Sequence, residues 1–113
     1  MITKTAYLSY LQCAKRFWLE AKEPERAEAP SVVAQRRMRE GTKVGQLARS
    51  WFPGGWLVPY HAQPDEMVRL TAEAIAEGET TVFEAVFMAD DRLIKADIWR
   101  QGEEGWQLIE VKG

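Results

Sequence analysis

The C-terminal third of the chain alternates apolar and polar residues with period two. The run Leu93-Ile94-Lys95-Ala96-Asp97-Ile98-Trp99-Arg100 leads through Gln101-Gly102-Glu103-Glu104-Gly105 into Trp106-Gln107-Leu108-Ile109-Glu110-Val111-Lys112. Both flanking runs are rich in β-branched and aromatic residues and predict strands, while the polar segment 102–105 predicts a hairpin turn. A third strand precedes them, Thr80-Thr81-Val82-Phe83-Glu84-Ala85-Val86-Phe87-Met88, joined through Ala89-Asp90-Asp91-Arg92. A two-residue turn at Asp90-Asp91 and a four-residue turn at 89–92 give one register, in which Met88 faces Leu93 and Glu84 faces Asp97. Across the second turn Gln101 faces Trp106, Trp99 faces Leu108, Asp97 faces Glu110 and Lys95 faces Lys112. Glu84, Asp97 and Glu110 then form one row across three antiparallel strands, and an odd-length loop at either turn would break it.

Residues 1–78 follow helical spacing instead. Thr3 or Thr5 can cap a first helix in which Tyr7, Leu11, Ala14 and Trp18 share a face, with Tyr10, Cys13 and Phe17 alongside. It is predicted to run until Pro24, where the charged segment 23–30 reads as a linker. Ser31 can cap a second helix reaching about Trp51, with Val44, Leu47, Ala48 and Trp51 as its apolar stripe. Gly41, Gly45 and Ala48 make a small-residue face that another backbone could approach closely. Phe52-Pro53-Gly54-Gly55 reads as a turn, and Trp56-Leu57-Val58 as a candidate short strand. Pro64-Asp65 opens a third helix, with Met67, Leu70 and Ala74 as core candidates and Gly78 as C-cap. Helices followed by a three-stranded antiparallel meander predict a single α+β domain, helical over 1–78 and meandering over 79–113.

Composition fits that reading. At 113 residues, 46% hydrophobic and 28% charged, the chain can build one modest core. No apolar run approaches the roughly 20 residues of a membrane span, and the N-terminus lacks a signal-peptide core, so the cytoplasm is the expected location. A single cysteine excludes an internal disulfide. Charge is split: residues 1–50 hold ten Lys/Arg against five Asp/Glu, and residues 51–113 hold five against twelve. A basic half meeting phosphates and an acidic half holding cations fit this split; so do two ordinary solvated surfaces. Arg36, Arg37, Arg39 and Lys43 are the candidate phosphate contacts. The five Trp sit mostly at core spacing, which favours packing over base stacking.

The facing acids carry the candidate chemistry. Carboxylates placed side by side on a sheet repel, and a divalent cation between them reverses that sign. Their hard oxygens suit Mg²⁺ or Mn²⁺, and open positions would admit water and phosphate. Lys112 projects from the same face as Glu110, where an ammonium can stabilise charge developing on phosphate, and the Val111 carbonyl is a further ligand candidate. The same spacing also fits a plain solvated face with Lys95 and Lys112 neutralising the acids. Against this, Leu93, Trp99, Trp106 and Leu108 share the face, and charges in partly apolar surroundings need partners.

Asp97, twelve intervening residues, then Glu110-x-Lys112 resembles the motif of the PD-(D/E)XK nuclease superfamily. The N-terminal run Leu8-Ser9-Tyr10-Leu11-Gln12-Cys13-Ala14-Lys15-Arg16-Phe17-Trp18-Leu19 is similar to the opening of the RecB-like branch, including the CRISPR-associated exonucleases. Gly41-x-x-Val44-Gly45-x-x-Ala48 and Phe83-Glu84-Ala85 fit that layout, so the resemblance spans nearly the whole chain. It implies an incomplete restriction-endonuclease-like core that hydrolyses nucleic acid, DNA foremost, with Mg²⁺ or Mn²⁺. It also implies Asp97 and Glu110 as catalytic metal ligands and Lys112 as catalytic lysine. Glu84 or Glu40 would supply a further acid. There are three departures. Gly45 stands near where RecB-like members carry a metal-binding histidine, and the only histidine, His61, is expected at the surface of a loop. Cys13 matches the first ligand of the iron–sulfur cluster of some relatives, but no four-thiolate cluster can form within a chain with one cysteine, so Cys13 is expected as a small core residue. The chain stops one residue after Lys112, where the family core continues with a helix and a strand. The expectation is therefore a fragment, itself inactive, of a longer nuclease, or an edge that another chain covers.

Overall fold

The computed structural model describes residues 1–113, in the order β1 (Ile2–Thr3), α1 (Lys4–Gln12), α2 (Ala14–Lys22), α3 (Val32–Ser50), β2 (Trp56–Leu57), α4 (Pro64–Ala76), β3 (Thr81–Ala89), β4 (Arg92–Gly102) and β5 (Gly105–Ile109). A short 3-10 turn, Pro24–Arg26, lies in the segment read as a linker. The fold is α+β, with a mixed sheet of five strands: the three of the predicted meander, the candidate short strand at Trp56–Leu57, and β1, which the sequence does not predict. β3, β4 and β5 pair antiparallel, and β1 and β2 add short parallel pairings to β4 and β3. β1 and β5 share one side of β4, β1 beside Arg92 and Leu93 and β5 beside residues 98–102. No helix is long and apolar enough to cross a membrane.

Helix ends follow local chemistry. Thr3 Oγ1 accepts from the Ala6 amide at 3.1 Å and Ser31 Oγ from the Ala34 amide at 3.1 Å, so each hydroxyl satisfies one orphan donor of a first turn. Gly78 follows α4 at φ +97°, the left-handed conformation a glycine C-cap supplies. The first helix departs from its expected course. Cys13 is extended (φ −162°, ψ 113°) and divides it into α1 and α2, which pack through Tyr10 and Phe17 edge to face at 5.6 Å. Cys13 is exposed, not a core residue.

The core is thin and lies between α4 and the sheet. Val82, Ala85 and Val86 of β3 meet Ala96 of β4, Met67 and Ala74 of α4, and Val58. Thr71 fixes the helix to the strand: its hydroxyl donates to Met67 O at 2.8 Å and accepts from the Val86 amide at 3.0 Å. Only 11 of 113 residues are buried, and the radius of gyration is 15.9 Å against about 13 Å for a compact chain of this length. α3 buries no residue. Tyr7, Leu11, Trp18, Leu47 and Trp51, expected as core stripe residues, are exposed.

Gly55 closes the turn before β2. A Cβ there would lie 2.3 Å from the Phe83 ring, which is itself buried. Gly55→Ala is therefore expected to lower stability by about 2 kcal/mol through overpacking. A thermal melt unchanged from the native chain would show that Phe83 can step aside.

Candidate metal centre

The predicted register holds on both sides of the acids but not at them. Met88 pairs with Leu93, Gln101 with Trp106 and Trp99 with Leu108, and the first turn is the two-residue form, with Ala89 opposite Arg92. Phe83↔Ile98 and Ala85↔Ala96 flank Glu84 and Asp97 without a shift, yet Glu84 leaves the ladder at φ +57°. That left-handed backbone costs a non-glycine residue about 1–2 kcal/mol. It also breaks the alternation of β3, so Val82, Ala85 and Val86 join one cluster while Glu84 stays half-buried. β5 ends at Ile109, which leaves Glu110, Val111 and Lys112 outside the strand and Lys95 without Lys112 opposite.

The row of three acids does not close into one group: no three acidic, histidine or cysteine side chains gather where they could hold an ion together. Each acid has instead found a cation or an amide. Glu84 Oε2 lies 2.8 Å from Lys95 Nζ, and its Oε1 lies 4.0 Å from Arg49. Asp97 Oδ2 accepts from the Val111 amide at 2.8 Å, so Val111 offers its N–H here. Glu110 pairs with Lys4 and lies 3.5 Å from Lys112 Nζ. The hydrogen bond from Lys4 and the charge of Lys112 hold the Glu110 carboxyl below its usual value.

Two of the acids do converge. Glu84, Asp97 and Val111 line a cavity of about 470 Å³ between α3 and the sheet, closed on the helix side by Gly41, Gly45 and Arg49. No other backbone approaches these glycines: a Cβ at Gly41 would meet nothing within 4 Å, and one at Gly45 would meet only the Arg49 guanidinium at 3.8 Å. The small-residue face thus opens onto the cavity. The donor set fits a hard divalent cation: both acids are carboxylates from neighbouring strands, and Mg²⁺ commonly takes only about one or two carboxylates plus water and phosphate. Glu110 and Lys112 stand outside this lining.

The remaining candidates separate. Glu40 is paired with Arg36 at 3.1 Å and lines a second cavity of about 590 Å³ with Arg37 and Lys43, so Glu84 alone of the two shares a cavity with Asp97. Arg39 is exposed on α3. His61 lies in a loop, as expected, where its Nδ1 accepts from the Gln63 amide at 2.9 Å. Sequence reasoning passed over Lys4 and Arg49. Nothing in the pattern links residue 4 to residue 110, whereas Gly45 and Arg49 are one helical turn apart and signalled a common face. A scan against protein-family models finds no match, and no curated protein or solved structure matches the chain.

Proposed function

We propose that this chain carries the metal site of a PD-(D/E)XK-type nuclease domain of the RecB-like branch, built on a restriction-endonuclease-like core and acting on DNA in the cytoplasm. The observation that carries the reading is the convergence of Glu84 and Asp97 on one cavity, with Glu84 in a left-handed backbone that packing alone would avoid. In this reading the two carboxylates hold Mg²⁺ or Mn²⁺. Bound there, the ion acidifies water and offsets phosphodiester charge. The Asp97–Val111 bond ties the Glu110–Lys112 segment beside the site, so Glu110 can join the ligand set by leaving Lys4. Lys112, three-quarters exposed, is free to swing toward a phosphate. Arg37 and Lys43, flanking the second cavity, with Arg36 and Arg39 on the same helix, provide a basic approach for the strand.

A second reading is binding without cleavage. It draws on the ion pairs that already neutralise Glu84 and Glu110.

Calorimetric titration with Mg²⁺ or Mn²⁺ tests the first reading. Asp97→Asn keeps an acceptor for the Val111 amide and removes the charge, and it is expected to weaken binding at least about tenfold. No binding by the native chain, or binding untouched by this substitution, sinks the metal reading. Cleavage of single- and double-stranded DNA, with Lys112→Ala as control, then separates catalysis from binding alone.

A further inference from the structure

One cation reaches into the cavity that Glu84 and Asp97 share. Arg49 sits in the last turn of α3, where the carbonyl end of the helix dipole favours positive charge, and its side chain is 26% exposed. Its guanidinium is 4.0 Å from Glu84 Oε1, beyond hydrogen-bond range. Arg16, Arg26, Arg36 and Arg69 each donate to a carboxylate between 2.6 and 3.1 Å, whereas no hydrogen bond engages Arg49. Arg37, Arg39, Arg92 and Arg100 also make no side-chain hydrogen bond, but each is exposed; Arg49 combines idle donors with a half-buried place. Glu84 already has its counter-ion in Lys95, so Arg49 is not needed to neutralise it. A half-buried guanidinium with unspent donors, facing a cavity within the roughly 300–1,000 Å³ of small-ligand sites, is a receptor for a planar pair of acceptors.

We propose that Arg49 receives a phosphate group of a nucleic-acid strand, holding two of its oxygens beside the Glu84–Asp97 pair. The proposal rests on the phosphodiester reading of this cavity and names the residue that positions the substrate there. Electrostatics allow it. With Glu84 offset by Lys95, the cavity is left with Asp97 and Arg49 of opposite sign, so an anion entering on the Arg49 side does not meet two bare acids. Arg36 is a poorer receptor, being three-quarters exposed and tied to Glu40.

Fluorescence anisotropy with a labelled single-stranded oligonucleotide, in a chelator that removes divalent ions, is the test. Arg49→Ala is expected to weaken binding at least about tenfold, the weight of a charge-assisted hydrogen bond. Arg49→Lys keeps the charge and the fold but not the fork, and is expected to weaken it about fivefold. Arg26→Ala, the same charge change at a remote site, should alter it less than about twofold, and inorganic phosphate should compete with the labelled strand. No strand binding by the native chain, equal losses in Arg26→Ala and Arg49→Ala, native affinity in Arg49→Lys, or failure of phosphate to compete would each overturn the proposal. The two readings fail separately. Asp97-dependent Mg²⁺ binding without Arg49-dependent strand binding removes only this inference; the reverse leaves an anion site and removes the metal reading.

Discussion

Ile98→Ala is expected to cost about 3 kcal/mol and to lower the melting temperature by about 15 °C. Ile98 is 1% exposed and central in the sheet, paired with Phe83 on one side and Ile109 on the other. Truncating it removes the largest of the fully buried side chains in a core that has few. A domain of this size has about 5–15 kcal/mol in total, so the loss is a large fraction of the whole. Ile98 also lines the candidate cavity, so ligand affinity should fall with stability. Circular dichroism melts of the two proteins check the first part. A loss below about 1 kcal/mol would mean that the sheet closes over the gap.

Glu84→Gly is expected to separate stability from function. Glycine relieves the left-handed backbone, a gain of about 1–2 kcal/mol, and returns about 0.5–1 kcal/mol through its looser unfolded chain. The Lys95 ion pair that disappears is about half exposed on the lysine side and is worth at most about 1 kcal/mol. The variant should therefore stay within about 1 kcal/mol of the native stability, since the three effects nearly offset. If the proposed metal site is right, divalent-cation affinity should fall by about a hundredfold, since even the outer partners of metal ligands carry about 10–100-fold. Calorimetry and a melt on one sample decide it. A clear loss of stability would show that Glu84 is held in place for the ion pairs it makes.

Much of this was legible where the pattern is local. The hairpins follow from period two and from turns whose length fixes the partner of every residue, and α4 follows from Met67 and Ala74 spaced along one face. The break at Cys13 had no such signal: no glycine or proline marks it, and the residues on either side keep a helical period. Exposure was the other failure. Periodicity says that Leu47, Ala48 and Trp51 share a side of α3, but not that anything packs there, and little does. The site was half legible for a related reason. Register counting put Glu84 opposite Asp97, but no rule of strand pairing foretells a left-handed glutamate, nor a lysine at position 4 that claims Glu110.

The absence of any buried residue on α3 also sets how the cavity behaves in time. Its backbone amides should exchange with solvent through partial opening, at a lower free energy than the amides of β3 and β4, which exchange only when the sheet comes apart. Each such opening dismantles one wall of the cavity and leaves the other standing. Whatever occupies the cavity must therefore slow hydrogen exchange in α3 in proportion to its concentration over its dissociation constant, and it slows the strands as well, because the opening that exposes them also takes the cavity apart. The helix is in this sense a latch, and its protection pattern reports occupancy without requiring that the ligand be named.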